Sequence, residues 1–193
     1  MEYLVWKLSK DGRARTARTK GAINKAKKKL QKGKVSSRKL AVELEHGVCS
    51  KALSPLVIFE QRTVDRDRYI KEVLSVALKY GNHVFGNDWT FQQDGARPHT
   101  HRITQQWCHS NFPGFIDKDH WPPNSPNLNP LDYYIWDEFV KVIDWNKVTS
   151  KPTMIQELKR AVKKIRKEAV FESCACWTNR LYRMSQNNGR YLK

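Results

Sequence analysis

From Gly47 onward, short apolar runs alternate with stretches whose apolar residues recur at helical spacing, and this alternation restricts the chain to an α/β architecture. The runs Gly47 to Ser50, Leu56 to Phe59, Trp89 to Phe91 and Phe115 to Ile116 have the length and the β-branched or aromatic content of strands. Tyr69 to Tyr80 carries Ile70, Val73, Leu74, Ala77 and Leu78 on one helical face and is predicted to end at Gly81 and Asn82. Further helices are predicted from a Thr100 cap through Ile103 and Trp107, from Leu131 through Phe139, from Ser150 to Lys167, and from Phe171 to Met184. Between Trp121 and Pro130 lie four prolines in ten residues, which predicts a stiff extended loop.

The front of the chain differs in kind. Of the formal net charge of +17, residues 1–40 hold 14 Lys and Arg against only Glu2 and Asp11. A polyanion is the natural partner of such an arm, with Arg13, Arg15, Arg18, Lys20, Lys25, Lys27, Lys28, Lys29, Arg38 and Lys39 as the expected phosphate contacts. A solvated basic tail is the plainer alternative. Ala22, Ile23, Ala26 and Leu30 mark one helix face, and Ser36 or Ser37 can cap a second helix carrying Leu40, Ala41 and Leu44. Two short basic helices in this order begin a helix-turn-helix, but the third helix expected after Glu45 is replaced by His46 to Ser50.

No run approaches the roughly 18 apolar residues of a membrane span, and Lys7 and Lys10 interrupt the only apolar stretch after Met1. Cys49, Cys108, Cys174 and Cys176 form no Cys-x-x-Cys pair, so neither a zinc knuckle nor a disulfide framework is indicated, and a reducing compartment, cytosol or nucleus, is expected. Trp107, Trp121, Trp136 and Trp177 read as core or loop packing rather than base-stacking platforms. Lys159 to Lys167 reads first as the solvated side of an amphipathic helix, with nonspecific phosphate contact as the second reading.

Two carboxylates carry the chemical interest. Asp94 follows an apolar strand, where open α/β sheets place ligands, and Asp132 opens a helix delivered by the proline-rich loop. Hard divalent cations take carboxylate oxygens, and a pair of them roughly 3.5 to 4 Å apart can clamp attacking and leaving oxygens in phosphodiester chemistry. Residue type alone favours a structural cap over a metal ligand at either position.

The surrounding words change that balance. Phe91-Gln-Gln-Asp94-Gly-Ala-Arg-Pro-His99-Thr100 and Trp121-Pro-Pro-Asn-Ser-Pro-Asn127-Leu-Asn129-Pro-Leu-Asp132-Tyr-Tyr-Ile-Trp136 resemble the two late catalytic motifs of Tc1/mariner-family transposases. The 37 residues between Asp94 and Asp132 are similar to the mariner-related branch whose third carboxylate is Asp. The resemblance runs from about Gly47 to the C-terminus, and the arm around Arg15 to Gly21 and Ser37 to Leu40 resembles the start of that family's paired-type helix-turn-helix. It implies a ribonuclease H-like domain at 46–193 behind a DNA-binding arm at 1–45. It also implies three carboxylates holding two Mg²⁺ or Mn²⁺ ions, endonucleolytic cleavage, DNA transposition and integration, and work in the nucleus. Asp94 and Asp132 take the places of the second and third catalytic, metal-binding carboxylates. His99 and Asn129 match motif residues of structural or supporting role, and Asn127 stands where the family usually has Asp.

The first carboxylate of that family lies on the central strand of the sheet, upstream of the part matching His46 to Glu60. Here helix-turn-helix residues precede that part, so the central strand and its Asp are expected to be missing. Asp11, in Lys10-Asp-Gly-Arg13, does not resemble the motif, and N-capping explains Asp65 and Asp67 better. The sequence therefore predicts an incomplete domain with two of three carboxylates and negligible strand cleavage. The alternative is a non-catalytic DNA-binding remnant whose C-terminal region packs or forms a homodimer. Neither a membrane nor a small-molecule substrate is expected.

Overall fold

The computed structural model describes residues 2–9, 43–59, 64–122 and 125–187. Five strands form one mixed sheet: β1 (Glu2–Ser9), β2 (Glu43–Val48), β3 (Val57–Phe59), β4 (Trp89–Gln93) and β5 (Gly114–Ile116), in the order β3-β2-β1-β4-β5. β1, β2 and β3 pair antiparallel, and β1, β4 and β5 pair parallel.

The expectation of a missing central strand is therefore corrected. Glu2–Ser9 fills the middle of the sheet, with Trp6 paired to Gly47 on one side and Gln93 on the other. Without it, β2 and β4 would each bury an unpaired row of backbone N–H and C=O groups. Tyr3-Leu-Val-Trp6 is β-branched and aromatic enough to supply the strand, although it stands beside the basic residues. β2 also runs across the 45/46 boundary drawn from the sequence, and Glu43 and Leu44 are strand residues, not the end of a capped helix. The rest of the arm, including every expected phosphate contact from Arg13 to Lys39, and the two helices expected there lie outside the described residues.

Strand alternation divides the core between the two faces of the sheet. On one face Phe59, Trp89 and Phe91 pack with Tyr69, Val73, Leu74, Ala77, Cys108 and Phe112. These come from α1, residues 66–85, and α3 (Arg102–Asn111), which follows the short α2 (Arg97–Thr100). On the other face Val48, with Ile58 beside it, packs under Leu131, Ile135 and Phe139 of α4 (residues 131–142), Leu158 and Ala161 of α5 (Lys151–Lys164), and Val170 of α6 (Lys167–Gln186). Helices on both faces leave the β4 side chains little water; Phe91 is fully buried, which contributes roughly 2 to 3 kcal/mol.

Several helix ends differ from the sequence reading for local reasons. α1 continues through Gly81 to Phe85 and stops at Gly86, whose φ of +65° suits glycine. Gly81 serves packing instead: a Cβ there would lie 2.4 Å from Cζ2 of Trp89. His101, not Thr100, caps α3 by accepting the N–H of Ile103. Ser150 caps α5 in a reciprocal box with Thr153, and α5 ends at Lys164 because Ile165 and Arg166 are extended.

Candidate active site

β1 and β4 run side by side in the same direction, and the register ends at Trp6 opposite Gln93. Asp94 is the next residue, so it leaves the sheet at its centre, at the C-terminal end of a parallel strand, where ligands of open α/β sheets bind. Its Oδ1 accepts the backbone N–H of Ala96 (3.0 Å), closing a tight turn into α2, and lies 2.7 Å from Nδ1 of His99. His99 is fully buried, so the contact fixes the carboxylate against a rigid wall rather than a mobile side chain.

The wall has its own supports. The His99 ring stacks on Tyr69 with centroids 4.3 Å apart, and the Tyr69 hydroxyl donates to Gln93 Oε1 at 2.7 Å. Gln93 and Gln105 each donate a side-chain N–H to the His99 carbonyl, at 3.1 and 2.8 Å. Buried glutamines in a strand and a helix would otherwise cost several kcal/mol of lost hydration; here their amides close a network that holds one histidine.

Asp132 approaches from the other layer. Asn129 accepts the Leu131 N–H through Oδ1 and the N–H groups of Asp132 and Tyr133 through its carbonyl, so it starts α4. Its place in the motif is thus explained as a cap. Asp132 is buried on the first turn, and this turn packs against β1 and Val48, next to the strand that Asp94 leaves. The segment Leu131–Ile135 is π-helical, as is Tyr69–Leu74, which carries the tyrosine under His99. Such widened turns re-aim side chains and recur at functional sites.

The proline loop is held from behind by α6. Trp177 donates its indole N–H to the Leu128 carbonyl (2.8 Å), and Arg180 donates to the Asn127 carbonyl (3.2 Å) while lying 3.9 Å over the Tyr133 ring. The Tyr133 hydroxyl donates to the Ser173 carbonyl, and burial pushes its pKa up, so it stays a neutral donor. Asn127 therefore contributes its backbone, which any residue supplies.

Sequence reasoning missed Tyr69, Gln93, Gln105, Ser173 and Arg180. Only the Gln-Gln-Asp94 run hinted at Gln93; Gln105 reaches His99 from six positions away, and the contacts of Tyr69, Ser173 and Arg180 join residues 24 to 53 positions apart, with no local signal. Of the sequence-predicted site, the structure brings Asp94, His99, Asn129 and Asp132 to the two sides of the sheet centre. Asp65 caps α1 by accepting the Arg68 N–H, as expected, and Asp11 lies outside the described residues. Among the described residues no group of three or more His, Cys, Asp or Glu side chains is arranged to hold a metal ion.

Comparison with known proteins decides the fold. The chain superposes on the catalytic domain of Mos1 mariner transposase with a TM-score of 0.65, at 14% identity, covering 91% of this chain and 96% of that one. The fold is that of a mariner transposase catalytic domain, ribonuclease H-like. Mos1 chains in a pre-cleavage transpososome match at TM-score 0.70 and 12% identity over 99% of this chain, and Mos1 in a paired-end complex with Mn matches at TM-score 0.70 and 13% identity. The chain spans 57% of the length of the transpososome protein. No family model and no curated protein sequence matches it.

Proposed function

We propose that the chain is a transposase-type DNA-binding domain that holds a divalent cation weakly through Asp94 and Asp132 and cleaves DNA negligibly. The reading is supported first by the register at the sheet centre. β1 is present, yet the residue that follows Trp6, the last partner of β4 before Asp94, is Lys7, and the strand's one acid, Glu2, pairs with Trp89 at the opposite end of β4. The strand that carries the first carboxylate in the family lacks one at that level.

The two remaining carboxylates suit a hard cation by type: both offer oxygen, and Asp94 is braced by His99 as carboxylate ligands commonly are. Mg²⁺ or Mn²⁺ would supply charge neutralisation at a phosphodiester. Asp94 and Asp132 would hold the ion, and His99 and the Asn129 cap would keep them in place. With no carboxylate at that level of β1, a second cation lacks the ligand that would hold it, and positioning on the ~1 Å scale is lost. The metal-bound Mos1 structures are consistent with this choice of ion, and the Mos1 paired-end complex with a transposon end supports DNA as partner.

The test is incubation of the full chain with Mn²⁺ and supercoiled plasmid, alongside a binding titration across salt. Salt-sensitive binding without nicking is expected, with a slope of log affinity against log salt near −5 if about six phosphates are neutralised. Nicking that disappears in Asp94→Ala would overturn the impaired reading, and its further loss in Asp11→Ala would identify the missing ligand. A flat salt dependence would remove DNA as the partner.

A further inference from the structure

We infer that the elbow between α5 and α6 is a second contact surface for the DNA backbone, separate from the basic N-terminal arm. The inference rests on DNA being the partner, as argued above. Lys159, Lys163, Lys164, Arg166 and Lys167 fall within nine residues, all are exposed, and none has an ion-pair partner among the described residues. The neighbouring cations behave differently: Lys141 pairs with Glu138, Lys147 with Asp144, and Arg160 with Glu157. Glu138, Asp144 and Glu157 are thus taken up on the flank, and between residues 159 and 168 only Glu168 opposes the five cations.

Two cations near the end of α5 suit its helix dipole, and that explains Lys163 and Lys164 by local stability alone. It does not explain Arg166 and Lys167, which open α6, where the dipole favours acids. Their cost is small on an exposed helix but its sign is wrong for stability, and a bound polyanion would reverse it.

Placement favours nucleic acid over other polyanions. From Ser173, which accepts the Tyr133 hydroxyl next to Asp132, to Lys167 is six helical residues, roughly 9 Å along α6. That is the rise of about three base pairs. The Tyr134 hydroxyl, donating 3.0 Å to Glu172, ties α4 and the first turns of α6 together, so the elbow keeps a fixed position relative to Asp132.

The experiment compares two charge-matched triple variants of the full chain, Lys163→Gln/Arg166→Gln/Lys167→Gln and Lys71→Gln/Lys79→Gln/Arg102→Gln. All six residues are exposed, and the second set lies on the opposite layer. Binding of a 30-base-pair duplex is followed by fluorescence anisotropy across salt, with phosphatidylserine vesicles as a parallel probe. The elbow set is expected to bind DNA at least about tenfold more weakly near 0.1 M salt and to lower the salt slope by about 2 to 3, with the opposite-layer set changed far less. Equal losses in both sets, or none in the elbow set while the wild type still binds, would overturn the assignment and leave DNA binding to the arm. A loss confined to vesicles would transfer the surface to lipid. A wild-type chain that does not bind the duplex would sink the DNA reading itself, which separates the two failures.

Discussion

Nδ1 of fully buried His99 lies 2.7 Å from Oδ1 of Asp94, and the same oxygen takes the N–H of Ala96. One carboxylate oxygen is therefore oriented by both a turn and a ring, and the ring is clamped by Tyr69, Gln93 and Gln105. Replacing the ring tests whether this bracing matters for metal. His99→Ala is expected to weaken Mn²⁺ binding 10- to 100-fold, roughly the effect of losing such a partner. His99→Asn, whose amide N–H overlays Nδ1, is expected to recover part of that loss. Free Mn²⁺ measured by electron paramagnetic resonance checks both, and equal affinities in Ala and Asn variants would reduce His99 to a packing role.

The register level of Lys7 gives a gain-of-function test. Lys7→Asp puts an acid on the central strand one position past the Trp6–Gln93 pair, where Asp94 follows on β4. Mn²⁺-dependent plasmid nicking is expected to appear in this variant and to vanish when Asp94→Ala is added. A variant that folds, binds Mn²⁺ and still leaves plasmid intact would mean that more than this one position separates the chain from strand cleavage.

Gly81 and Trp89 form a close joint between α1 and the sheet. The Trp89 indole N–H donates to Asn82 Oδ1 (3.0 Å) and the Gly86 carbonyl (3.1 Å), so the ring cannot retreat from an added methyl. In an open helix Gly→Ala gains up to about 1 kcal/mol; here overpacking is expected to reverse the sign, with a net loss of about 1 to 3 kcal/mol. Urea denaturation followed by tryptophan fluorescence measures it, and a stabilised Gly81→Ala would show that the helix slides away from β4.

Trp177 and Arg180 tie α6 to the loop that delivers Asp132. Trp177→Phe keeps most of the packing but leaves the Leu128 carbonyl without its donor, at a cost of about 1 kcal/mol. Faster proteolysis within residues 122–130 is expected, with little change in the α1 and β4 layer. Unchanged loop cleavage would show that the prolines alone hold this segment.

Glu157 sits under Arg160, and this guanidinium holds its carboxyl below the ordinary range, outweighing burial, with help from the Asp144 N–H. A carboxyl that titrates lower folded than unfolded adds stability above its unfolded pKa, and that stability is lost as pH falls through the folded value. Glu157→Gln is expected to flatten the acid limb of stability between about pH 5 and pH 3. An unchanged limb in urea melts across that range would assign the acid sensitivity elsewhere.

Sequence alone determined the local chemistry of this protein. The strand at Trp89, the capped helix at Ser150, the stiff loop before Asp132 and the two carboxylates are written in residue types and spacings a few positions long, where propensity and periodicity act directly. Tertiary structure decided what those signals could not carry. Whether Tyr3 to Trp6 begins a basic arm or the central strand depends on the unpaired edges of β2 and β4, which exist only once the sheet assembles. Whether Gly81 stops a helix depends on where the Trp89 ring lands, and the clamp on His99 is built by side chains that meet only across the folded sheet. Backbone pairing and packing are settled between segments far apart in the chain, so no window of sequence contains them.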